Sequence, residues 1–231
     1  MSSRSRVKSE NRVLDIYREL RNHHGGCESW WPADEGPLKE WEICVGAILT
    51  QNTNWKNVEK ALTNLKHEKM LNPKKMNGMP LPKLQRLIRP SGFYKQKAAR
   101  LKMFAGFVSS FGSLNKFLKS VTREQLLAVD GIGPETADSI LLYACNKPHF
   151  VIDAYTRRIL SRLKMISVKE SYDELQRLFH ESLPRSVKLY KEFHALIVEH
   201  AKQNCKKEPL CTDCTLNKIC KRCLVNLPRI R

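Results

Sequence analysis

The sequence predicts an all-α protein, and three observations carry that prediction. Apolar residues recur at three- and four-residue intervals in one segment after another. No segment shows sustained period-two alternation, so no sheet is expected. A Gly/Pro turn, Gly131-Ile132-Gly133-Pro134, lies between two helical patterns and reads as the hairpin of a helix-hairpin-helix.

Taken in order, residues 41–50 are apolar nearly all round and predict a helix buried on most sides. Val58, Leu62 and Leu65 mark one face of the next helix. The segment from Asn72 to Pro82 holds three prolines and a glycine and is expected to be a solvated connection. Ala98, Leu101, Phe104, Ala105 and Val108 give the inner face of a helix over 96–110. Thr122 and Gln125 have capping-box spacing ahead of Leu126, Leu127 and Val129, which starts the first hairpin helix. Pro134 suits the first position of the second, whose inner face is Ala137, Ile140, Leu141 and Ala144, and Pro148 ends it. Tyr155, Ile159 and Leu163 follow, then Tyr172, Leu175, Leu178 and Phe179, and finally Leu189, Phe193, Leu196, Ile197 and His200.

The 231 residues suffice for one large or two small domains. Lysine and arginine total 41 against 23 acidic residues, a formal net charge of +18 spread along the whole chain. Such an excess points to a polyanionic partner, nucleic acid first. No apolar run is long enough to span a membrane, and the basic stretch from Met1 to Arg12 lacks an apolar signal core. A cytoplasmic protein with reduced thiols is therefore expected.

Eight cysteines then need an account other than disulfides. Cys27, Cys44 and Cys145 are scattered and read as small buried hydrophobes. The other five form Cys205-x5-Cys211-x2-Cys214-x5-Cys220-x2-Cys223. Thiolate-only ligation suits iron–sulfur clusters and zinc. Two tetrads are open: Cys205, Cys211, Cys214 and Cys220 for a cluster, or Cys211, Cys214, Cys220 and Cys223, whose paired x2 spacings suit zinc.

The hairpin turn also has a chemical reading. Its glycines let backbone N–H groups approach a phosphate, and the helix start at Pro134 is an anion site. About twenty residues after Gly133 stands a lone carboxylate, Asp153, just before the pattern Ala-Tyr-Thr-Arg-Arg. From the residues alone, Asp153 reads as a helix N-cap.

Together the hairpin, its Gly/Pro loop and this aspartate resemble the signature of the endonuclease III superfamily of DNA glycosylases, and the likeness runs from Trp30 to Cys220. It implies two helical domains with the active-site cleft between them. Residues 41–148 would form a helical barrel with the helix-hairpin-helix at about 122–146, and 1–40 plus 149–231 would form the other domain with a cluster loop at 205–223. It implies DNA contacts at Gly131, Gly133, Glu135 and Thr136, and a monovalent cation at the hairpin when DNA is bound. The superfamily's [4Fe-4S] signature is Cys-x6-Cys-x2-Cys-x5-Cys. Cys205, Cys211, Cys214 and Cys220 match its order and last two spacings, with the first spacing one residue short.

By the same resemblance Asp153 is the catalytic carboxylate, stabilising the oxocarbenium character that develops when an N-glycosidic bond breaks. Bifunctional members place a Schiff-base lysine two positions after the second hairpin glycine. Glu135 stands there and cannot form an imine, which implies a monofunctional glycosylase. Three segments resemble the 3-methyladenine DNA glycosylases of endonuclease III type: Trp30-Trp31-Pro32, Leu49-Thr50-Gln51-Asn52-Thr53, and Arg89 through Ala98, which reads Arg-Pro-Ser-Gly-Phe-Tyr-Lys-Gln-Lys-Ala. The likeness implies an alkylated purine stacked on Trp30, Trp31 and Trp55, where cation–π attraction favours a positively charged base. Gln51 would fill the gap left by the flipped nucleotide, and Phe93 would wedge between bases. The expected partner is double-stranded DNA with a damaged base, bound by a monomer. The alternatives are a uracil/thymine-mismatch or oxidised-pyrimidine glycosylase, including one with lyase activity, and a non-catalytic helix-hairpin-helix DNA-binding protein.

Overall fold

The computed structural model describes residues 3–26, 36–167 and 169–220, with side chains from Arg12 onward. Trp30, Trp31 and Cys223 lie outside the described residues. The helices are α1 (Ser3–His24), α2 (Lys39–Leu49), α3 (Trp55–His67), α4 (Pro73–Gly78), α5 (Leu81–Leu87), α6 (Tyr94–Ser110), α7 (Leu114–Ser120), α8 (Arg123–Leu127), α9 (Pro134–Ser139), α10 (Ala154–Arg162), α11 (Tyr172–Ser182) and α12 (Val187–Gln203). A 3₁₀ turn, Arg89–Ser91, precedes α6, and a π-helical turn, Ile140–Ala144, continues α9. Among the described residues there is no strand, and no helix is long and apolar enough to cross a membrane.

The chain divides into two compact units, Trp31–Lys147, and Met1–Trp30 with Pro148–Arg231. In the first, α2 is buried from Trp41 through Leu49, as a helix apolar on all sides must be. Trp41 stacks on Phe104 of α6 with ring centroids 5.7 Å apart, and α9 with its π turn closes over α2. In the second unit α1 packs on α11 and α12 around Ile16, Leu20, Phe179 and Phe193. Phe150 stacks on Phe179 at 4.0 Å.

Asn72 to Pro82 is not a solvated connection: it holds α4 and the start of α5. Asn72 caps α4 by accepting from the Lys75 N–H at 3.1 Å, and Pro73 sits in the first helical turn, where a missing donor costs nothing. Met76 and Met79 are buried, and α4 packs along α6. The prolines start helices in this segment.

The hairpin is built as the sequence anticipates. Thr122 and Gln125 form a reciprocal capping box at α8. Asp138, fully buried in α9, receives a two-pronged contact from Arg123 of α8 at 2.9 and 3.2 Å, so one ion pair pins the two hairpin helices together. Gly131 has φ +80, and a Cβ there would lie on the Arg100 side chain. The positive φ favours glycine, and a side chain there would also displace Arg100. Gly133 is extended (φ −85) with open space where its Cβ would point.

Candidate active site

In the unit that carries the hairpin, Gln51 is the hub of a polar network. It lies just beyond α2, where Thr50 closes the helix by donating its hydroxyl to the Gly46 carbonyl at 2.7 Å. The Gln51 amide donates to the Gly131 carbonyl and to the Thr136 hydroxyl, each at 3.0 Å. Its oxygen accepts from Arg100 Nη1 at 2.6 Å. The structure thus brings Gln51, Gly131 and Thr136 together, with Arg100 as a partner the sequence reading missed. Thr136 is buried, whereas Glu135 is exposed in the first turn of α9. The residues from Leu127 to Gly133 line an open concavity.

Phe93 stands at the start of α6 with φ +46, a left-handed conformation that a bulky residue adopts only under constraint. It is 64% exposed, the most exposed of the large apolar side chains among the described residues. Trp55 is half-buried in the first turn of α3.

In the other unit Asp153 caps α10. Its Oδ1 accepts from the Thr156 N–H at 2.7 Å and from the Thr156 hydroxyl at 2.8 Å. Its Oδ2 faces Nε2 of the buried His194 on α12 at 3.6 Å, an ion-pair distance longer than a hydrogen bond. Burial alone would raise the Asp153 pKa. His194 and the Thr156 donors outweigh it, so the carboxyl lies below its ordinary value. The cap predicted from the residues is therefore present, and the same carboxylate is held ionised. His194 was also missed. Its sequence signal is a titratable residue inside the apolar run from Phe193 to Val198.

The four cysteines Cys205, Cys211, Cys214 and Cys220 line one small cavity with Arg162, His200, Leu210 and Leu216. Arg162 Nη1 donates to the Cys205 sulfur at 3.1 Å and to the Lys206 carbonyl at 2.6 Å, and its Nη2 donates to the Lys207 carbonyl at 2.9 Å. Arg158 holds the Cys205 carbonyl at 2.8 Å. His200 lies 3.4 Å from the Cys214 sulfur, and burial lowers its pKa to about 4, with His24 and His23 adding, so its imidazole is neutral. Burial raises the Cys214 thiol, and Cys205, Cys220 and Cys211 add to the rise. Among the described residues no three His, Cys, Asp or Glu side chains form a ready site for a single metal ion. A group bound by four thiolates fits the donor set that lines this cavity.

The model of HhH-GPD superfamily base excision DNA repair proteins matches residues 45–185, the stretch from α2 through the hairpin, Asp153 and α11. The chain belongs to that superfamily. A *Methanocaldococcus jannaschii* protein named as a candidate DNA repair glycosylase is 46% identical over 214 residues, 90% of this chain and 95% of the relative. The *Helicobacter pylori* 3-methyladenine DNA glycosylase MagIII, solved with 1,N6-ethenoadenine, is 37% identical with a TM-score of 0.71, covering 84% of this chain and 97% of that one. A trapped endonuclease III–DNA covalent intermediate shares the fold at a TM-score of 0.78 and 20% identity, covering 94% and 97%. This HhH-GPD protein is accordingly a DNA base-excision repair glycosylase.

Proposed function

We propose that this HhH-GPD protein is a monofunctional glycosylase that hydrolyses the N-glycosidic bond of a flipped alkylated purine, such as 3-methyladenine, and leaves an abasic site. The observation that carries the catalytic reading is the Asp153 carboxylate, which is held ionised by Thr156 and His194. A carboxylate with a depressed pKa is a weak base, so its larger contribution is charge. It stabilises the cationic sugar as the bond breaks and orients the attacking water, with proton abstraction secondary. An N3- or N7-alkylated purine is already cationic while bonded to the sugar and departs as a neutral base, so it needs no strong general acid. The substrate class is supported by the likeness to the *H. pylori* enzyme, with Trp30, Trp31 and Trp55 as the stacking faces.

Under this reading Gln51 enters the gap left by the flipped base and Phe93 wedges beside it. The hairpin residues Gly131, Gly133, Glu135 and Thr136 meet the backbone, with a monovalent cation joining them on DNA. Cys205, Cys211, Cys214 and Cys220 hold a [4Fe-4S] cluster whose role is structural: it closes a loop bearing Lys206, Lys207 and Lys218 for phosphate contact.

The substrate reading is tested on duplexes that each carry one lesion: an alkylated purine, uracil or thymine opposite guanine, and an oxidised pyrimidine. Release from the alkylated duplex at the highest rate is the expected result, and preference for either other class would overturn it. Binding to an abasic-analogue duplex should weaken on the order of a hundredfold or more between about 50 and 200 mM salt, as expected if this basic chain of net charge +18 contacts several phosphates. An affinity flat across that range would contradict backbone-dominated binding. Anaerobically purified protein should be brown, and Cys214→Ser should lose its iron while the Cys223→Ser protein keeps it. A colourless protein with one zinc per chain would replace the cluster by the rival tetrad.

A further inference from the structure

We infer that Lys97 is a positioning residue that fixes the spacing of the two loops that enter the DNA, the one carrying Gln51 and the one carrying Phe93. The inference rests on the insertion roles proposed above. Lys97 lies in the first half of α6 and is 1% exposed. Its ammonium donates to the Leu49 carbonyl at 2.8 Å and to the Ser91 carbonyl at 2.7 Å. Leu49 is the last residue of α2, where carbonyls have no partner further along the helix and the dipole is negative. Ser91 is the last residue of the 3₁₀ turn and is itself buried. Each carbonyl stands two residues before the side chain in question, Leu49 before Gln51 and Ser91 before Phe93. One buried nitrogen therefore joins the stems of both loops.

A simpler residue would serve if only packing were at stake. Burying an ammonium is costly, and the charge that acts on Lys97 is the like charge of Arg100. Burial, with Arg100 adding, lowers its pKa to about 8. Arg100, one turn further along α6, grips the Gln51 oxygen at 2.6 Å and occupies the space above Gly131. The same helix thus sets the stem of the Phe93 loop, the stem and side chain of Gln51, and the hairpin turn.

A residue that positions the probes affects extrusion of the base and leaves the chemistry on an already extruded base intact. The test compares single-turnover base release by the full chain from a fully paired alkylated duplex and from the same lesion held in an unpaired bulge. Lys97→Met should slow release from the paired duplex by on the order of ten- to a hundredfold, while release from the bulge falls by less than about threefold. Equal loss on both substrates, or on neither, overturns the inference. If the Met variant does not fold, Lys97→Gln, a neutral donor too short to hold both carbonyls as lysine does, must give the same paired-over-bulged pattern, and equal losses there overturn it too. A wild-type protein that releases no base from either substrate refutes the proposed function itself, an outcome distinct from a defect confined to the variant.

Discussion

Asp153→Asn is expected to bind a lesion-bearing duplex normally and to release its base more slowly by on the order of a hundredfold or more. Asparagine caps a helix as well as aspartate, so the Thr156 contact and the start of α10 persist. What disappears is the negative charge, which is needed only as the sugar becomes cationic. Alanine at this position would remove cap and charge together, with a cap loss of about 1 kcal/mol confounding the result. Single-turnover base release alongside equilibrium binding separates the two effects, and near-normal release by a folded Asp153→Asn protein would end the catalytic assignment. The substitution has a stability signature as well. With its folded pKa depressed, Asp153 contributes stability above the ordinary carboxylate range, and that contribution is lost as pH falls through the folded pKa. Acid unfolding of the variant should lack this component.

The second large effect concerns Glu135. With a carboxylate where a Schiff-base lysine would stand, borohydride should trap no covalent protein–DNA adduct, and the strand should break only after alkali or heat. Denaturing gels with borohydride present and absent check this directly. Efficient trapping would replace the monofunctional reading by a bifunctional one that uses another lysine.

The hairpin and the helix faces were legible because their signals are local. A capping box, a Gly-x-Gly-Pro turn and apolar residues at helical spacing each act within a few positions. The Asn72–Pro82 segment misled for the same reason. Proline density resembles a loop until Asn72 and Pro73 are seen as a helix start whose methionines are buried against α6. Arg100, Lys97 and His194 were not legible because at least one partner of each lies far along the chain. Arg100 meets Gln51 across 49 positions and Lys97 meets Leu49 across 48. Asp153 was legible as a cap, since Thr156 is three residues away. Part of the lowering of its pKa comes from His194, which only tertiary packing supplies.

The proposed reaction is hydrolysis of a damaged-base bond without strand scission. It is tested most directly by incubating the full chain with duplex DNA carrying one 3-methyladenine-type lesion, then measuring free base by mass spectrometry and strand integrity before and after alkali. Stoichiometric release of the alkylated base is expected, from a strand that stays whole until alkali is added. Absence of free base at enzyme excess, or strand breaks matching base release without alkali, would contradict it.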